Sequence, residues 1–306
     1  MKQLKNLLLK CAAMLTLVVG TYVNVFAQKT KTIRTIIIDA GHGGSDIGAR
    51  GSNTNEATVT LQLALQLRDR LQQVLPDVKI ILTRDNEELP GGVSDHKEAN
   101  RIRARIANEN KGDLFISIHC NSAQTRYKST IVGYKTETYY TGKGKKRKKR
   151  TRQVPVYHRE PLGCAVHGTE TYIWAINKND IKRKYANATA EEFGEQSGVT
   201  QEDDDPVAQI QASLRTKQFF DRSLRIAELV EEEFVKQGRR SLGVKQRNHT
   251  GIWVLQATAM PSILVETGFI CNDEEESYMM SEKGQQEITY AIMRAVLRYK
   301  EFLAGR

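Results

Sequence analysis

Residues 35–51, with the sequence TIIIDAGHGGSDIGARG, decide how the chain folds around them. The β-branched run Ile36–Ile38 predicts a short buried strand that stops at Asp39. A glycine-dense turn follows and contains one imidazole, that of His42. Glycine allows backbone conformations closed to other residues and lets a ligand approach closely. A single histidine after a strand is more often a polar loop residue than a ligand, so the turn alone does not define a site.

The first 27 residues have the pattern of a secretory signal peptide. Lys2, Lys5 and Lys10 precede an apolar run that is too short to span a bilayer comfortably, and Val25-Phe26-Ala27 fits a small-residue cleavage site. An N-terminal membrane anchor is the alternative interpretation. We therefore expect residues 1–27 to be removed and residues 28–306 to act as one exported domain, periplasmic or secreted.

The positive charge of the chain is concentrated in one run. The formal net charge is +10, and Lys143–Arg152, with the sequence KGKKRKKRTR, contains eight basic residues and no acidic one. Such a block is most often a solvated, disordered loop. The functional alternative is binding to an anionic polymer of the cell envelope. Nucleic acid is disfavoured as a partner, because no aromatic residue interrupts the run and the protein is predicted to be exported.

The cysteines do not predict a disulfide framework. Cys120, Cys164 and Cys271 follow the signal segment, and an odd number leaves at least one thiol unpaired in a monomer. The spacing of Cys164 and His167 resembles half of a zinc site, but the sequence has no second half with suitable spacing.

Strand and helix patterns alternate along the rest of the chain. Strands are predicted at 36–39, 78–83, 113–120, 170–175, 251–256 and 262–267, and helices from Glu56 to about 75 and at 94–110, 207–237 and 285–303. The alternation predicts an α/β fold: one catalytic domain with a mostly parallel twisted sheet and helices on both faces. The pattern is lost over 122–167 and 177–206, which are predicted to be irregular insertions. Trp174 and Trp253 fall in predicted strands and are expected in the core.

Polar side chains follow three of the predicted strands. His42 comes just after the first strand, His119 ends the third, and Glu266 lies near the end of the last. Glu56 begins the helix after the His42 turn and can return to the same edge. Ligands of open α/β sheets bind beyond the carboxyl ends of the strands. Two imidazoles and a carboxylate can bind zinc and leave one position for water, and a further carboxylate can then move protons.

Three segments together resemble a known family. GHGGSDIGARG with Glu56, then DLFISIHCNS, then MPSILVETGFICN occur in the order found in the zinc-dependent N-acetylmuramoyl-L-alanine amidases of type 3. The resemblance implies that His42, Glu56 and His119 are ligands of Zn2+ and that Glu266 is the catalytic carboxylate. Arg103 with Ala107-Asn108 also fits the family pattern. Cys120 and Cys271 depart from it, since alanine and serine are usual there, and two thiols near one edge could pair or bind a metal.

The resemblance also implies an activity and partners. These enzymes hydrolyse the amide bond between N-acetylmuramic acid and L-alanine, so peptidoglycan is the expected substrate. Some division-associated members carry an inserted helix that blocks the zinc site, and the segment 177–206 lies where such a helix would fall. A regulatory activator protein would then be a partner. Two alternatives remain open: another zinc amidohydrolase or peptidase acting on the envelope, and a wall-binding module without catalytic activity.

Overall fold

The computed structural model describes residues 32–187 and 206–305. The predicted signal segment and most of the second predicted insertion therefore lie outside the described residues. The strands are β1 (Thr35–Ala40), β2 (Lys79–Leu82), β3 (Leu114–Asn121), β4 (Tyr127–Thr141), β5 (Lys148–Pro161), β6 (Thr169–Ile173), β7 (Ser241–Gln246) and β8 (Ser262–Phe269). The helices are α1 (Glu56–Val74), α2 (His96–Glu109), α3 (Asn179–Asn187), α4 (Pro206–Lys236), α5 (Trp253–Ala257), α6 (Asp273–Met280) and α7 (Glu282–Leu303).

Six strands form a mixed sheet in the order β2-β1-β3-β8-β6-β7. The first four run parallel, which confirms the predicted α/β fold class. β6 runs antiparallel to β8, and β7 runs parallel to β6. The start of β6 therefore meets the carboxyl end of β8, and Glu170 lies opposite Glu266 in the register. The antiparallel pairing of β6 with β8 therefore places the carboxylate of Glu170 beside that of Glu266, at the edge of the sheet where the site is expected.

Helices cover both faces of this sheet because its central strands are apolar on both sides. Ile36 and Ile38 point into the larger core, with α1, α4 and α7, while Ile37 points into the smaller core on the other face. Successive side chains of a strand alternate between faces, so a continuous β-branched run is what a doubly covered strand requires. The smaller core contains Phe115 and Trp174, and Trp174 is fully buried as predicted.

All four predicted helices are present. α1 begins at Glu56, where the side chain of Asn55 accepts a hydrogen bond from the Thr58 amide at 3.1 Å, and it ends before Pro76. α4 matches the predicted helix closely, and α7 begins slightly before its predicted start. None of the described helices is both long and apolar enough to cross a membrane.

Residues 251–256, predicted as a strand, do not form one, and most of them belong to a short helix. α5 occupies this region, and the additional strand β7 precedes it at the edge of the sheet. A short apolar run cannot be assigned to strand or helix from periodicity alone, which explains the error. Trp253 is accordingly not a strand residue of the core, and its side chain is 38% exposed.

The predicted irregular insertion at 122–167 is a long β-hairpin. β4 and β5 pair antiparallel from Tyr127 opposite Pro161 to Thr141 opposite Lys148, with a bulge between Ile131 and Gly133. Both faces of this ribbon are largely exposed, so its sequence has no alternation between apolar and polar residues. The second insertion begins with a short turn at Ile176–Lys178 and continues into α3 before the described residues end.

A disulfide bond fixes the base of the hairpin to the sheet. Cys164, which follows β5, is bonded to Cys271, which follows β8. Cys271 therefore does not pair with Cys120, and the half zinc site considered for Cys164 is not formed. Cys120 is free and buried.

Candidate active site

His42, Glu56 and His119 lie together at the carboxyl edge of β1 and β3. Their donor atoms lie within 4.8 Å of one another, close enough to hold a metal ion. One oxygen of Glu56 lies 2.8 Å from Nδ1 of His119, and the other lies 3.2 Å from Nε2 of His42. The two imidazole rings are 4.9 Å apart and nearly perpendicular. The side chains that sequence analysis placed at one edge do converge there.

Backbone amides fix the carboxylate between the two rings. The amide of Ala49 donates to one Glu56 oxygen at 2.9 Å, and the amide of Cys120 donates to the other at 3.0 Å. Burial alone would raise the pKa of Glu56, but the hydrogen bonds and charge of His119 and His42 outweigh burial and hold this pKa well below its usual range. Glu56 is therefore an ionised, preoriented carboxylate.

The glycine turn makes room for the imidazoles. Gly48 has φ +65°, and a Cβ there would lie 2.6 Å from Oε2 of Glu56 and 2.7 Å from the His42 ring. A Cβ at Gly41 would lie 2.5 Å from Nε2 of His119. His42 itself has φ +61°, a left-handed conformation that is uncommon for a residue with a side chain. Such strained residues persist where the surroundings hold them, often at functional sites.

A buried ion pair holds the backbone of this turn. Arg103 pairs with Asp39, and it donates to the carbonyl of His42 at 2.6 Å. Asp39 also accepts hydrogen bonds from Thr83 and Ser117, both at 2.6 Å. Burial raises the pKa of Asp39, yet Arg103 and these hydroxyls outweigh burial and leave it lowered. Arg103 thus positions the backbone of the turn that carries His42.

Arg84 makes a second set of contacts to the same turn, and sequence analysis missed it. Its guanidinium donates to the carbonyls of Ala40 at 3.0 Å and of Gly41 and Ala57 at 2.8 Å. Burial lowers its pKa to about 10, so it remains charged at neutral pH. The only signal in the sequence was its position directly after a predicted strand.

Glu266 lies beside the three-residue cluster, opposite His119 in the β3–β8 register. Its Oε2 is buried and has no hydrogen-bond partner among the described residues. Oε1 lies 3.9 Å from the guanidinium of Arg247. Burial is the main cause that raises the pKa of Glu266 to about 7; the charge of His119 lowers it, and that of Glu56 raises it. A carboxyl group in this state can both accept and return a proton near neutral pH.

These residues line an open cavity of about 350 Å³. Its wall includes Trp253, which was expected in the core, and Arg247, which sequence analysis did not identify. Arg247 packs over the ring of Tyr172, 5.0 Å from the ring centroid, and so stands at the wall beside Glu266. His249 is exposed in a turn and does not line the cavity.

A family model described as N-acetylmuramoyl-L-alanine amidase matches residues 36–298. The chain belongs to this amidase family. The match begins in β1 and ends in α7, so it includes the four clustered residues and both predicted insertions.

Individual amidases resemble the chain over most of its length. N-acetylmuramoyl-L-alanine amidase AmiC of Escherichia coli O6:H1 is 27% identical over 265 residues, which cover 86% of this chain and 52% of AmiC. The chain thus spans about half the length of this relative. The germination-specific amidase of Bacillus subtilis is 22% identical, with coverage of 87% and 79%. An amidase structure from Clostridium difficile 630 has a TM-score of 0.54 and 22% identity, covering 89% of this chain and 98% of that one. The amidase fold is therefore shared.

Proposed function

We propose that the protein hydrolyses the amide bond between N-acetylmuramic acid and L-alanine of the peptidoglycan stem peptide. His42, Glu56 and His119 are the proposed ligands of Zn2+, and Glu266 is the proposed catalytic carboxylate. One observation carries the proposal: two imidazoles and an ionised carboxylate converge within 4.8 Å beside a buried carboxyl group with an unpartnered oxygen. The family match and the amidase relatives support the same reaction.

The donor set fits zinc. Structural zinc sites use four protein ligands, whereas catalytic sites use three and leave a position for water. A cluster of two histidines and one glutamate at the wall of an open cavity has the three-ligand composition of a catalytic zinc site. Held by these three residues, a zinc ion would supply polarisation of a carbonyl group and a water whose pKa is lowered to roughly 7.

The chain's own residues then orient groups and move protons. The backbone amides of Ala49 and Cys120 hold the Glu56 carboxylate in place, and Arg103 fixes the backbone carbonyl of His42. Glu266 accepts the proton of the attacking water and returns it to the alanine nitrogen, which must be protonated to leave. The position of Glu266 suits both transfers, because the residue lies opposite His119 in the β3–β8 register and its buried Oε2 has no hydrogen-bond partner among the described residues.

Several further assignments belong to this proposal. Residues 1–27 are a signal peptide, residues 28–306 form one exported catalytic domain, and the protein acts in the periplasm or outside the cell. Peptidoglycan is its substrate, and residues 143–152 contact anionic polymer of the envelope. The segment 177–206 restrains access to the zinc site, and a regulatory activator protein is a further partner. For one structural neighbour, the CwlD amidase of Clostridioides difficile, a complex with the GerS lipoprotein has been solved.

Mass analysis of digested muropeptides tests the reaction. We expect stem peptides with a free amino-terminal alanine, loss of this product with a chelator, and recovery with zinc. Glu266→Gln should retain zinc and lose roughly 10²–10⁴-fold in turnover, because the amide cannot accept the proton. His42→Ala should lose zinc, whereas the exposed His249→Ala serves as the matched control and should retain it.

Three results would contradict the assignment. Cleavage of another bond would favour a different amidohydrolase or peptidase. Binding to sacculi without cleavage would favour a wall-binding module. Loss of zinc from Glu266→Gln would make Glu266 a ligand and not the proton carrier.

A further inference from the structure

The β4–β5 hairpin projects as an almost fully exposed ribbon. Its paired strands cover about 14 residues each, a length of roughly 45 Å at 3.4 Å per residue. A two-stranded hairpin is marginally stable in water without further packing. Here its base is anchored by paired hydrogen bonds between Arg126 and the segment at Leu162–Gly163, and by the disulfide between Cys164 and Cys271.

The hairpin carries almost all of the protein's excess charge. Residues 127–161 contain eleven basic and two acidic residues, a formal net charge of +9, while the whole chain has +10. The charge is concentrated toward the tip, where eight basic residues fall within 143–152. A surface of this kind attracts polyanions, and it repels cationic partners.

Strand pairing places aromatic rings beside these cations. Tyr139 lies opposite Arg150, and Tyr140 lies opposite Lys149. The guanidinium of Arg147 lies 4.2 Å from the centroid of the Tyr140 ring, and a similar contact joins Arg152 to Tyr139. The basic run has no aromatic residue of its own, so only the fold creates this mixed basic and aromatic surface.

Toward the base, one face of the ribbon carries aromatic and apolar side chains on either side of the pair Ser129–Arg159. Ile131 lies opposite Tyr157, Tyr134 opposite Pro155, and Tyr127 opposite Pro161. Directly opposed residues share a face, and alternation along β5 places all three pairs on the same side. The three tyrosines are 53–66% exposed. Flat apolar rings with free hydroxyl groups suit sugar rings, which present an apolar C–H face surrounded by polar groups.

The base of the hairpin adjoins the cavity. Asn121 and Ser122 line the cavity, and β4 begins five residues after Ser122. The next residue, Ala123, donates its amide to the sulfur of Cys271 at 3.1 Å. The exposed tyrosine face, which contains Tyr127, Ile131, Tyr134, Pro155, Tyr157 and Pro161, therefore starts five residues along the chain from the cavity-lining Ser122.

We propose that the hairpin is a second binding surface for the same anionic glycan polymer that enters the cavity. The tyrosine face packs against sugar rings, and the basic tip attracts the carboxylates of the stem peptides. This proposal rests on the proposed function, because the substrate is then a polymer that combines sugar rings with carboxylates. The short segment between the cavity-lining Ser122 and Tyr127 favours the glycan strands of the sacculus over a separate anionic polymer.

Co-sedimentation with purified sacculi tests the proposal. The zinc-loaded full chain carries Glu266→Gln so that the polymer stays intact during the measurement. Lys145→Gln, Lys148→Gln and Lys149→Gln together should weaken binding at low salt roughly eightfold, since each exposed charge contributes about a factor of two. The loss should shrink at physiological salt, where the Debye length is about 8 Å. The matched control removes three exposed charges from α4 and α7 by Lys217→Gln, Lys283→Gln and Arg294→Gln, and should bind normally.

The tyrosine face is tested separately. Tyr134→Ser with Tyr157→Ser should weaken sacculus binding at both salt concentrations, because this contact is not electrostatic. Tyr290→Ser, which changes an exposed tyrosine of α7, should leave binding unchanged. Circular dichroism on each variant identifies loss of folding. If one set of hairpin variants, the lysine set or the tyrosine set, does not fold, the other set tests whether the hairpin binds sacculi.

Other outcomes would overturn the proposal. Equal loss in the control variants would show that binding depends on total charge and not on the hairpin. Binding that disappears when covalently attached anionic polymers are stripped from the sacculi would assign the hairpin to those polymers. Equal affinity for anionic lipid vesicles or for DNA would assign it to another polyanion. Failure to cleave muropeptides would contradict the proposed function alone, since the binding assay does not depend on turnover.

Discussion

Asp39 and Arg103 form an ion pair whose side chains are only 1% and 3% exposed, close to the turn that carries His42. Arg103 shares its donors between Asp39 and the carbonyls of Ala40 and His42. Removing one partner of a buried pair leaves an uncompensated charge and usually costs more than the pair itself contributes. The position of His42 therefore depends on a residue that sequence analysis treated only as the end of a strand.

Asp39→Asn should destabilise the fold in a pH-dependent manner. The pKa of Asp39 is lower in the folded chain than in the unfolded chain, where it is about 3.9. Its stabilisation is therefore present above about pH 4 and is lost as the pH falls through the folded-state pKa. We expect the variant to lose about 3–5 kcal/mol in the free energy of unfolding at pH 7 and less at lower pH.

Denaturant unfolding at several pH values measures this difference. Asp69→Asn is the control, because Asp69 is exposed on α1 and its pair with Arg68 lies at the surface. The control should differ little from the unchanged protein at any pH. A loss in Asp39→Asn that stays constant down to the lowest pH would show that packing, and not ionisation, explains the destabilisation.

At the scale of an element, the turn between β1 and α1 combines unusual backbone with close contacts. Gly43, Gly44 and Gly48 all have positive φ, and Gly48 also lies against Glu56 and His42. Glycine at 48 therefore meets two separate requirements. One is conformational and would apply in any left-handed turn, while the other is the space needed by the proposed metal ligands.

Gly48→Ala compared with Gly243→Ala separates these requirements. Gly243 has φ +82°, and a Cβ there meets nothing within 4 Å. Gly243→Ala should cost roughly 1–2 kcal/mol in the free energy of unfolding, because a left-handed backbone disfavours a side chain, and Gly48→Ala should cost more, because its Cβ would also lie 2.6 Å from Glu56. Only Gly48→Ala should also weaken zinc binding, measured by metal content after dialysis. Equal zinc binding by both variants would mean that Glu56 and His42 move aside without loss of the site.

At the scale of the whole molecule, the disulfide connects two distant parts of the chain. Cys164 and Cys271 are 107 residues apart in sequence, and their bond joins the hairpin base to the loop after β8. The Cys164 amide also donates to the Cys271 carbonyl at 2.9 Å. The disulfide thus links the ribbon to the strand that carries Glu266.

Cys164→Ser with Cys271→Ser should lower the free energy of unfolding by about 2–5 kcal/mol, because the unfolded chain gains freedom when the loop is opened. Thermal or denaturant unfolding measures the loss. A reducing agent serves as the control: it should lower the stability of the unchanged protein to that of the double variant and leave the variant unaffected. An effect of the reducing agent on the double variant would point to Cys120 or another cause.

The sequence by itself determined the fold class and the main elements that carry the site. The isoleucine run, the glycine turn and the cap at Asn55 are local signals, so β1 and α1 could be predicted without tertiary information. The carboxyl ends of parallel strands lie at one edge, which is why His42, His119 and Glu266 could be placed together. Their assignment as zinc ligands and catalytic carboxylate remains a prediction.

The tertiary structure decided what depends on contacts between distant residues. The hairpin lacks a buried face, so its sequence has no alternation to reveal it. Pairing of Cys164 with Cys271, the reversed direction of β6 and the places of Arg247 and Trp253 in the cavity wall follow from packing across the sheet. The pKa of Glu266 likewise depends on burial among neighbours from other strands. Local sequence specifies backbone propensity and hydrophobic periodicity. Disulfide pairing, strand direction, the cavity wall and the pKa of a buried group depend on packing between segments that are distant in sequence, which forms only when those segments bury their apolar surfaces against one another.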